Sequence, residues 1–340
     1  MNEQNKEVVQ LLENIALAVE NKTLNVLQIP VDNMGQIIKG VFHNDEVTHM
    51  YHDKIDSAIH SGNVQEVVRL LKILAERIRE VDRQNDTLQS QNREYCKAVY
   101  QKRYGTGNNI EKDSTLFTGK GVIYTAITGG YDTVQPPLYQ EAGVDYLLFT
   151  DNPDTAAAGW QVKQITVEEG LSPAKQARKV KILAHEYVSQ YDYSVWVDGK
   201  LQIIGDLGEY IRKYRNTSPM ICFNHYSRDC CYEEGEACIR QKKEVPDVVY
   251  LQLETYKKAG YPQHNGLIES GIIVREHNNP LVKKVMQTWW EEVYNKSQRD
   301  QLSFNYACWK HGFMYDCSDL LIYDEQYVKL FSHVEKTGKV

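Results

Sequence analysis

The sequence has 340 residues, 42% of them hydrophobic, which is enough for a sizeable core in two domains or in one domain with an extension. Its net charge of −7 excludes a nucleic-acid-binding protein that relies on a broad basic face. The seven cysteines form no C-x-x-C pair, which predicts reduced thiols rather than a structural zinc site. The N-terminus is polar and no apolar run reaches roughly 18–20 residues, so we expect a cytoplasmic protein without a signal peptide or transmembrane segment.

The N-terminal part of the chain is predicted to be helical. Apolar residues recur at helical spacing over residues 4–21, and residues 46–60 follow a similar pattern. Residues 101–119 have no apolar period and contain several glycines and asparagines, which indicates a linker. We therefore divide the chain into an α-helical extension, residues 1–115, and a globular domain, residues 116–340.

A heptad pattern runs through the end of this extension. Over residues 64–95 the apolar positions are alternately three and four residues apart, which predicts a coiled-coil seam. Asn85 and Asn92 fall at a positions, where a buried asparagine favours two parallel strands. Two interpretations stay open, namely a homodimer through residues 64–95 and an intramolecular helical hairpin that packs on residues 4–60.

Strands and helices alternate in the globular domain. The sequence predicts strands at 122–127, 145–150, 160–166, 191–197, 220–223 and 271–275. It predicts helices at 173–187, 206–214, 232–243, 248–259, 280–295 and 299–311. This alternation argues for an α/β fold with a mostly parallel sheet, in which ligands bind at the carboxyl ends of the strands.

Two predicted strands end in residues that suit a nucleoside. After the first strand, two glycines let backbone N–H groups approach a ligand. The second strand ends in an acid, which at this position commonly meets a ribose hydroxyl. Either stretch can also be a simple turn. The candidate donor-binding residues are Thr128, Gly129, Tyr131, Asp132 and Asp151.

The predicted strand over 191–197 is followed by Asp198, Gly199 and Lys200. A carboxylate in this position could hold Mg²⁺ or Mn²⁺ through oxygen, and the glycine lets the backbone turn or approach a ligand. The alternative is an Asp-Gly turn with a solvated carboxylate.

The helix that precedes this strand carries a row of basic residues. Arg178, Lys181 and His185 are three and four residues apart and therefore share one face. A cationic face on an otherwise acidic protein suits a diphosphate. It can also be an exposed helix surface without a ligand.

Three polar residues in the last third of the chain are further candidates. Glu269 lies in a polar stretch that borders an apolar strand, and Asp300 lies in the first turn of a predicted helix. His333 is near the C-terminus, and a lone histidine is more often not a metal ligand.

Seven stretches carry a resemblance to a known family. In order they are TAITGGYD, YLLFTDN, ARKVKILAH, YSVWVDGKLQI, RDCCYEEGEACI, GLIESGIIVREHN and SQRDQLSF. From about residue 120 to 335 the chain resembles the glycosyltransferase-like domain of the plant TOD/MUCI proteins and of many bacterial proteins. The resemblance implies a GT-A-like, Rossmann-type fold, a nucleotide-sugar donor, a glycan or other hydroxyl acceptor, and Mn²⁺ or Mg²⁺. It also suggests polysaccharide biosynthesis.

The resemblance also implies roles for particular residues. Asp198 stands where such enzymes have the first carboxylate of a D-x-D motif, and Lys200 stands in place of the second. Asp198 and His333 would then share the metal ion, or Lys200 would replace part of its charge. Glu269 and Asp300 match acceptor-side and sugar-side acids. The basic residues matched near the donor are Arg178 and Lys181.

We therefore predict a metal-assisted glycosyltransferase, retaining by its resemblance to other enzymes of this fold. Asp300 and Glu269 are the predicted catalytic residues. One alternative is a nucleotidyltransferase, since the same crevice can bind a nucleoside triphosphate. Another is a non-catalytic assembly protein that binds sugar nucleotides and dimerises through its coiled coil.

Overall fold

The computed structural model describes residues 3–21, 45–105, 112–130 and 133–331. Backbone contacts divide the chain into two compact units, Met1–Gln91 and Asn92–Val340. The sequence-based domain boundary at 115/116 lies further along the chain, and the division into an extension, residues 1–115, and a globular domain, residues 116–340, stays a prediction.

The first unit consists of helices with interlocking apolar faces. They are α1 (Glu3–Glu20), α2 (Asp45–His60) and the start of α3 (Val64–Tyr104). Each helix contributes to one buried cluster, for example through Leu12 on α1, Ile55 on α2 and Leu71 on α3. Burial of these amphipathic faces is what holds the helices in place, since isolated helices are marginally stable in water.

The predicted seam of α3 is buried in its first half. Leu71, Leu74 and Ile78 lie in the same cluster as residues of α1 and α2, which agrees with the intramolecular interpretation. In the second half, Leu88 is 53% exposed. Homodimerisation through residues 64–95 stays a prediction, and it would use this second half.

The burial of α3 predicts that substitutions of two adjacent residues lower the stability by very different amounts. Leu74 is fully buried, whereas Ile73 is 40% exposed. We expect Leu74→Ala to lower the free energy of unfolding by about 2–5 kcal/mol, because it leaves a cavity in the cluster. Ile73→Ala, the matched control, should cost less than about 1 kcal/mol. Urea unfolding of the full chain, followed by helical circular dichroism, checks this, and equal effects of the two variants would contradict the packing.

The second unit is built on a sheet. Its strands are β1 (Gly121–Ile127), β2 (Asp145–Thr150), β3 (Gln161–Gln164), β4 (Tyr193–Val197), β6 (Met220–Asn224), β7 (Ile268–Arg275) and β8 (Asp316–Ser318). The seven strands have the order β3-β2-β1-β4-β7-β6-β8. Strands β1 to β4 are mutually parallel, β6 and β8 are parallel, and β7 is antiparallel to β4 and β6. A separate antiparallel ribbon joins β5 (Leu201–Ile203) and β9 (Val328–Leu330).

Helices cover both faces of this sheet. They are α4 (Pro173–Ile182), α5 (Ala184–Tyr187), α6 (Leu207–Tyr214), α7 (Cys231–Arg240), α8 (Pro246–Lys258), α9 (Pro280–Asn295) and α10 (Gln301–Lys310). Val180, Trp289 and Phe304 place α4, α9 and α10 in the cluster on one face, and Tyr210 places α6 in the cluster on the other. The predicted α/β class, with a mostly parallel sheet flanked by helices and a helical N-terminal part, is confirmed. Within the described ranges, no helix has the length and apolarity needed to cross a bilayer.

The helix predicted over 173–187 is interrupted. Helix α4 ends at Ile182, and Leu183 adopts φ −91° and ψ 49° before α5 begins. The carbonyl of Lys181 accepts hydrogen bonds from the Tyr124 hydroxyl, at 3.0 Å, and from the Arg275 guanidinium. Since these side chains occupy a carbonyl that would otherwise receive a helical N–H, the helix stops there. Because of this break, His185 does not continue the helix that carries Arg178 and Lys181, with which the sequence predicted it to share one face.

Candidate functional site

The topology brings distant parts of the chain to one edge of the sheet. The carboxyl ends of β1, β2 and β4 lie together because these strands are parallel. The antiparallel β7 begins at this edge, where its Gly271 carbonyl accepts a hydrogen bond from the Asp198 backbone N–H at 2.8 Å. Strand β6 also ends there. A cavity of about 150 Å³ lies at this edge, where its wall includes residues that follow β4 and β6, the start of β7, and residues of α4 and α10.

The cavity wall has more basic than acidic side chains. The basic ones are Arg178, Lys181, Lys200, Arg228, Lys243 and Arg299. The acidic ones are Asp198, Glu234, Glu269 and Asp300. His225 adds no positive charge near neutral pH, because burial lowers its pKa to about 4. In a chain of net charge −7, a local excess of cations indicates an anionic ligand.

Lys181 is the centre of the buried polar contacts in this wall. It is 1% exposed, and its Nζ lies 2.6 Å from Asp300 Oδ2 and 3.3 Å from Asp198 Oδ1. The same ammonium group donates to Ser270 Oγ at 3.0 Å. Because a buried charge needs both a counter-ion and hydrogen-bond partners, these contacts fix Lys181 between the two carboxylates.

Asp300 is held rigidly at the start of α10. Its side chain accepts from the Gln301 backbone N–H at 3.1 Å, and its carbonyl accepts from Trp289 Nε1 at 2.9 Å. Burial by itself would raise the pKa of the Asp300 carboxyl, but the neighbouring Lys181 and Arg178 cations outweigh burial and lower it below its ordinary value of 3.8. Asp300 is therefore a carboxylate, not a carboxylic acid, at neutral pH.

Asp198 emerges from β4 beside a tryptophan of the same strand. Trp196 Nε1 donates to Asp198 Oδ1 at 2.7 Å, which orients the carboxylate toward the cavity edge. A Cβ on Gly199 would lie 3.1 Å from the Ile127 side chain. The role of this glycine is therefore close packing against β1, in addition to the turn that the sequence indicated.

Glu269 lines the same cavity and has two neutral hydrogen-bond partners. Its Oε2 accepts from Gln301 Nε2 and its Oε1 accepts from the Tyr323 hydroxyl, both at 3.3 Å. Burial raises the pKa of Glu269 above its ordinary value, and the Lys200 cation acts in the opposite direction. A carboxyl group with a raised pKa can exchange a proton closer to neutral pH.

The candidate nucleoside residues form a separate cluster. Asp151 accepts hydrogen bonds from the Gly129 backbone N–H, at 2.9 and 3.0 Å to its two oxygens. The Thr128 hydroxyl donates to the Pro173 carbonyl at 2.6 Å. These three residues are not in the wall of the cavity. The other two candidates, Tyr131 and Asp132, lie outside the described residues.

Six of the predicted site residues line the cavity, together with residues that the sequence did not select. The predicted residues in the cavity wall are Arg178, Lys181, Asp198, Lys200, Glu269 and Asp300. Those that the sequence did not select as site residues include His225, Tyr226, Ser270 and Tyr323. Ser270 is adjacent to Glu269 and could have been found from that stretch. Tyr323 had no local signal, since only the fold brings it to Glu269.

A second group of potential metal ligands comes from the residues around the start of α7 and from the loop before β7. Asp229, Glu233 and His264 place one ligand atom each within 4.8 Å of one another. His264 Nδ1 lies 2.6 Å from Asp229 Oδ1, and this contact raises the pKa of His264. An ion pair between His264 and Asp229 is sufficient to explain that contact, so we assign no cation to this cluster.

The described surroundings of Asp198 do not fit Mg²⁺ or Mn²⁺. Its Oδ1 is already engaged by Trp196 and Lys181, and the second acid of a D-x-D motif is replaced by Lys200. Such ions prefer several oxygen ligands, and ammonium groups beside the carboxylate repel them. The predicted second ligand, His333, lies outside the described residues.

Comparison with known sequences identifies the region that carries this cavity. The family described as TOD1/MUCI70, glycosyltransferase-like domain, matches residues 83–335. This match confirms the resemblance inferred from the seven motifs, and it extends that resemblance into α3.

A curated relative and a solved structure give further matches. "Probable hexosyltransferase MUCI70" of Arabidopsis thaliana is 25% identical over 211 residues, covering 54% of this chain. The chain spans 36% of the length of that relative. The apo crystal structure of mouse xyloside xylosyltransferase 1 has 9% sequence identity and a TM-score of 0.34, over 57% of this chain and 83% of that one.

Proposed function

Since the chain belongs to the TOD1/MUCI70 glycosyltransferase-like domain family, we propose that it transfers a sugar from a nucleotide-sugar donor to a hydroxyl acceptor. The observation that supports this most is the cationic cavity at the carboxyl edge of the sheet, with Lys181 between Asp198 and Asp300. Such a cavity suits a diphosphate, and its carboxylates suit the hydroxyl groups of a sugar.

The proposed reaction exchanges one bond of the anomeric carbon for another. The bond to the diphosphate oxygen breaks, and its electron pair leaves with the nucleoside diphosphate. A bond to the acceptor oxygen forms, and the proton of the acceptor hydroxyl passes to the Glu269 carboxylate. Cations near the departing diphosphate stabilise the charge that develops there. Retention of the anomeric configuration is part of the proposal.

Each cavity residue has a proposed task in this reaction. Arg178 and Lys200 face the diphosphate, and Asp198 orients the donor. Asp300, fixed and ionised, holds the transferred sugar. Glu269 lies next to the acceptor hydroxyl, and its raised pKa suits proton exchange with that group. The loop at Thr128–Gly130 would contact the nucleoside.

An assay of the full chain with a panel of nucleotide sugars tests the proposal. Release of the nucleoside diphosphate is measured with Mn²⁺, with Mg²⁺ and with EDTA, and product analysis by NMR gives the anomeric configuration. We expect turnover of at least one donor. Absence of both turnover and nucleoside-diphosphate binding over the whole panel would contradict the proposal and favour an assembly role.

The donor-orienting role predicts the effect of a conservative change at Asp198. Asp198→Asn keeps an acceptor for the Trp196 N–H but removes the charge, so kcat/KM should fall by at least about 100-fold. The matched control is Glu254→Gln, which removes an exposed acid of α8. Turnover of Asp198→Asn equal to that of the control would refute the assigned role.

A further inference from the structure

Lys181 already forms ion pairs with two carboxylates of the cavity wall. Its ammonium group contacts Asp300 at 2.6 Å and Asp198 at 3.3 Å, and Ser270 completes its hydrogen bonding. In a metal-dependent site, the metal ion would lie between the two carboxylates, where this structure has the Lys181 ammonium group. A Mg²⁺ or Mn²⁺ ion held by both carboxylates would have to displace the buried Lys181 ammonium, which would then lose these two counter-ions.

Two further cations in the wall are available for a ligand. The Lys200 ammonium has no ion-pair or hydrogen-bond partner among the residues that the structure describes. No described residue accepts a hydrogen bond from the Arg178 guanidinium, whose Nε lies 3.7 Å from Asp300 Oδ2. Both side chains line the same cavity as Lys181. An ammonium without a described partner and a guanidinium without a hydrogen-bond acceptor, both at a cavity wall, indicate an anion that supplies the missing contacts.

From these contacts we propose that the cavity binds the diphosphate of its nucleotide ligand without a divalent cation. Lys200 and Arg178 contact the phosphate oxygens, and Lys181 keeps Asp198 and Asp300 from repelling them. The inference rests on the proposed function, because it concerns the diphosphate of that donor. Lysine and arginine are established binders of phosphate groups, and they stabilise the developing charge of a leaving diphosphate as a metal ion does.

Calorimetry on the full chain tests metal independence. The probes are UDP, GDP, ADP and CDP, each titrated in excess EDTA and in saturating MnCl₂ or MgCl₂. We expect at least one probe to bind with dissociation constants that agree within about threefold in EDTA and in metal, a difference below about 1 kcal/mol. Binding that requires the metal ion would overturn the inference and leave the proposed function standing. Absence of binding under all conditions would overturn both.

Variants of Lys200 test which group replaces the metal. Lys200→Ala should weaken binding in EDTA by about tenfold or more, since it removes one charge-assisted contact. Lys258→Ala is the matched control, because it removes an exposed lysine of α8 and changes the net charge equally. Melting curves verify that both variants are folded.

Lys200→Asp sharpens this test by restoring a second acid two residues after Asp198. Its binding in EDTA should fall further than that of Lys200→Ala, and Mn²⁺ should recover part of the loss. A Lys200→Asp variant that binds in EDTA as tightly as the original chain would overturn the role of Lys200.

Discussion

Lys181→Met is expected to lower the free energy of unfolding of the unit Asn92–Val340 by about 3–5 kcal/mol, because it leaves buried Asp300 without its counter-ion. The melting temperature of this unit should fall by roughly 10 °C. Methionine has a volume close to that of the lysine stem, so the effect reports the lost charge and not a cavity. Thermal unfolding of the full chain measures it.

A cation on the same helix supplies the control for this variant. Lys179 pairs with Glu168 at 2.7 Å, but Glu168 is 50% exposed. Lys179→Met should therefore cost less than about 1 kcal/mol. Combining Lys181→Met with Asp300→Leu removes both buried charges and should recover part of the lost stability. A Lys181→Met variant as stable as Lys179→Met would contradict the buried pairing.

The same pairing determines how stability depends on pH. The pKa of Asp300 is lower in the folded chain than its ordinary value of 3.8. A group with a lowered folded pKa contributes stability that is fully present above its unfolded pKa and is lost as pH falls toward the folded value. In Lys181→Met, burial acts on Asp300 without the Lys181 cation, so the variant's Asp300 takes up a proton at a higher pH than in the original chain. The destabilisation should therefore be full where Asp300 is ionised in both chains and shrink steadily as the pH falls.

Asp300→Asn should reduce kcat for sugar transfer by at least about 100-fold. We expect it to lower the free energy of unfolding less than Lys181→Met does. The amide keeps the shape of the side chain and can still accept from the Gln301 backbone N–H, but it has no charge for Lys181 or for the developing positive charge on the sugar. Steady-state kinetics with the best donor of the panel, together with melting curves, measure both effects.

Asp316→Asn is the matched control for this variant. Asp316 is buried in β8 and accepts from the backbone N–H groups of Asn216 and Ser218 at 2.8 and 3.0 Å, but it is not in the cavity wall. Its replacement should reduce stability while kcat stays within about threefold. If Asp300→Asn reduces kcat no more than Asp316→Asn does, the catalytic role of Asp300 is wrong.

The local sequence pattern was sufficient to predict the bounds of some helices and strands. The strand Asp145–Thr150 and the helix Pro280–Asn295 have the predicted bounds, because apolar periodicity and the caps at their ends are local properties. The break at Leu183 was not predictable in this way, since it depends on Tyr124 and Arg275 reaching the Lys181 carbonyl from other strands. The short strands β5, β8 and β9 have too few residues to show a period.

The sequence by itself determined the fold class and the family. It also predicted a role for Asp198, because a carboxylate after a buried strand is visible in the local pattern. Only the tertiary structure decided what surrounds that carboxylate. Lys181, Asp198, Ser270 and Asp300 are separated by up to 119 positions. Ser270 meets Asp198 and Lys181 because β7 runs antiparallel between β4 and β6, so that β7 begins where β4 and β6 end. The charge of the site therefore follows from the sheet topology, which no single stretch of the sequence encodes.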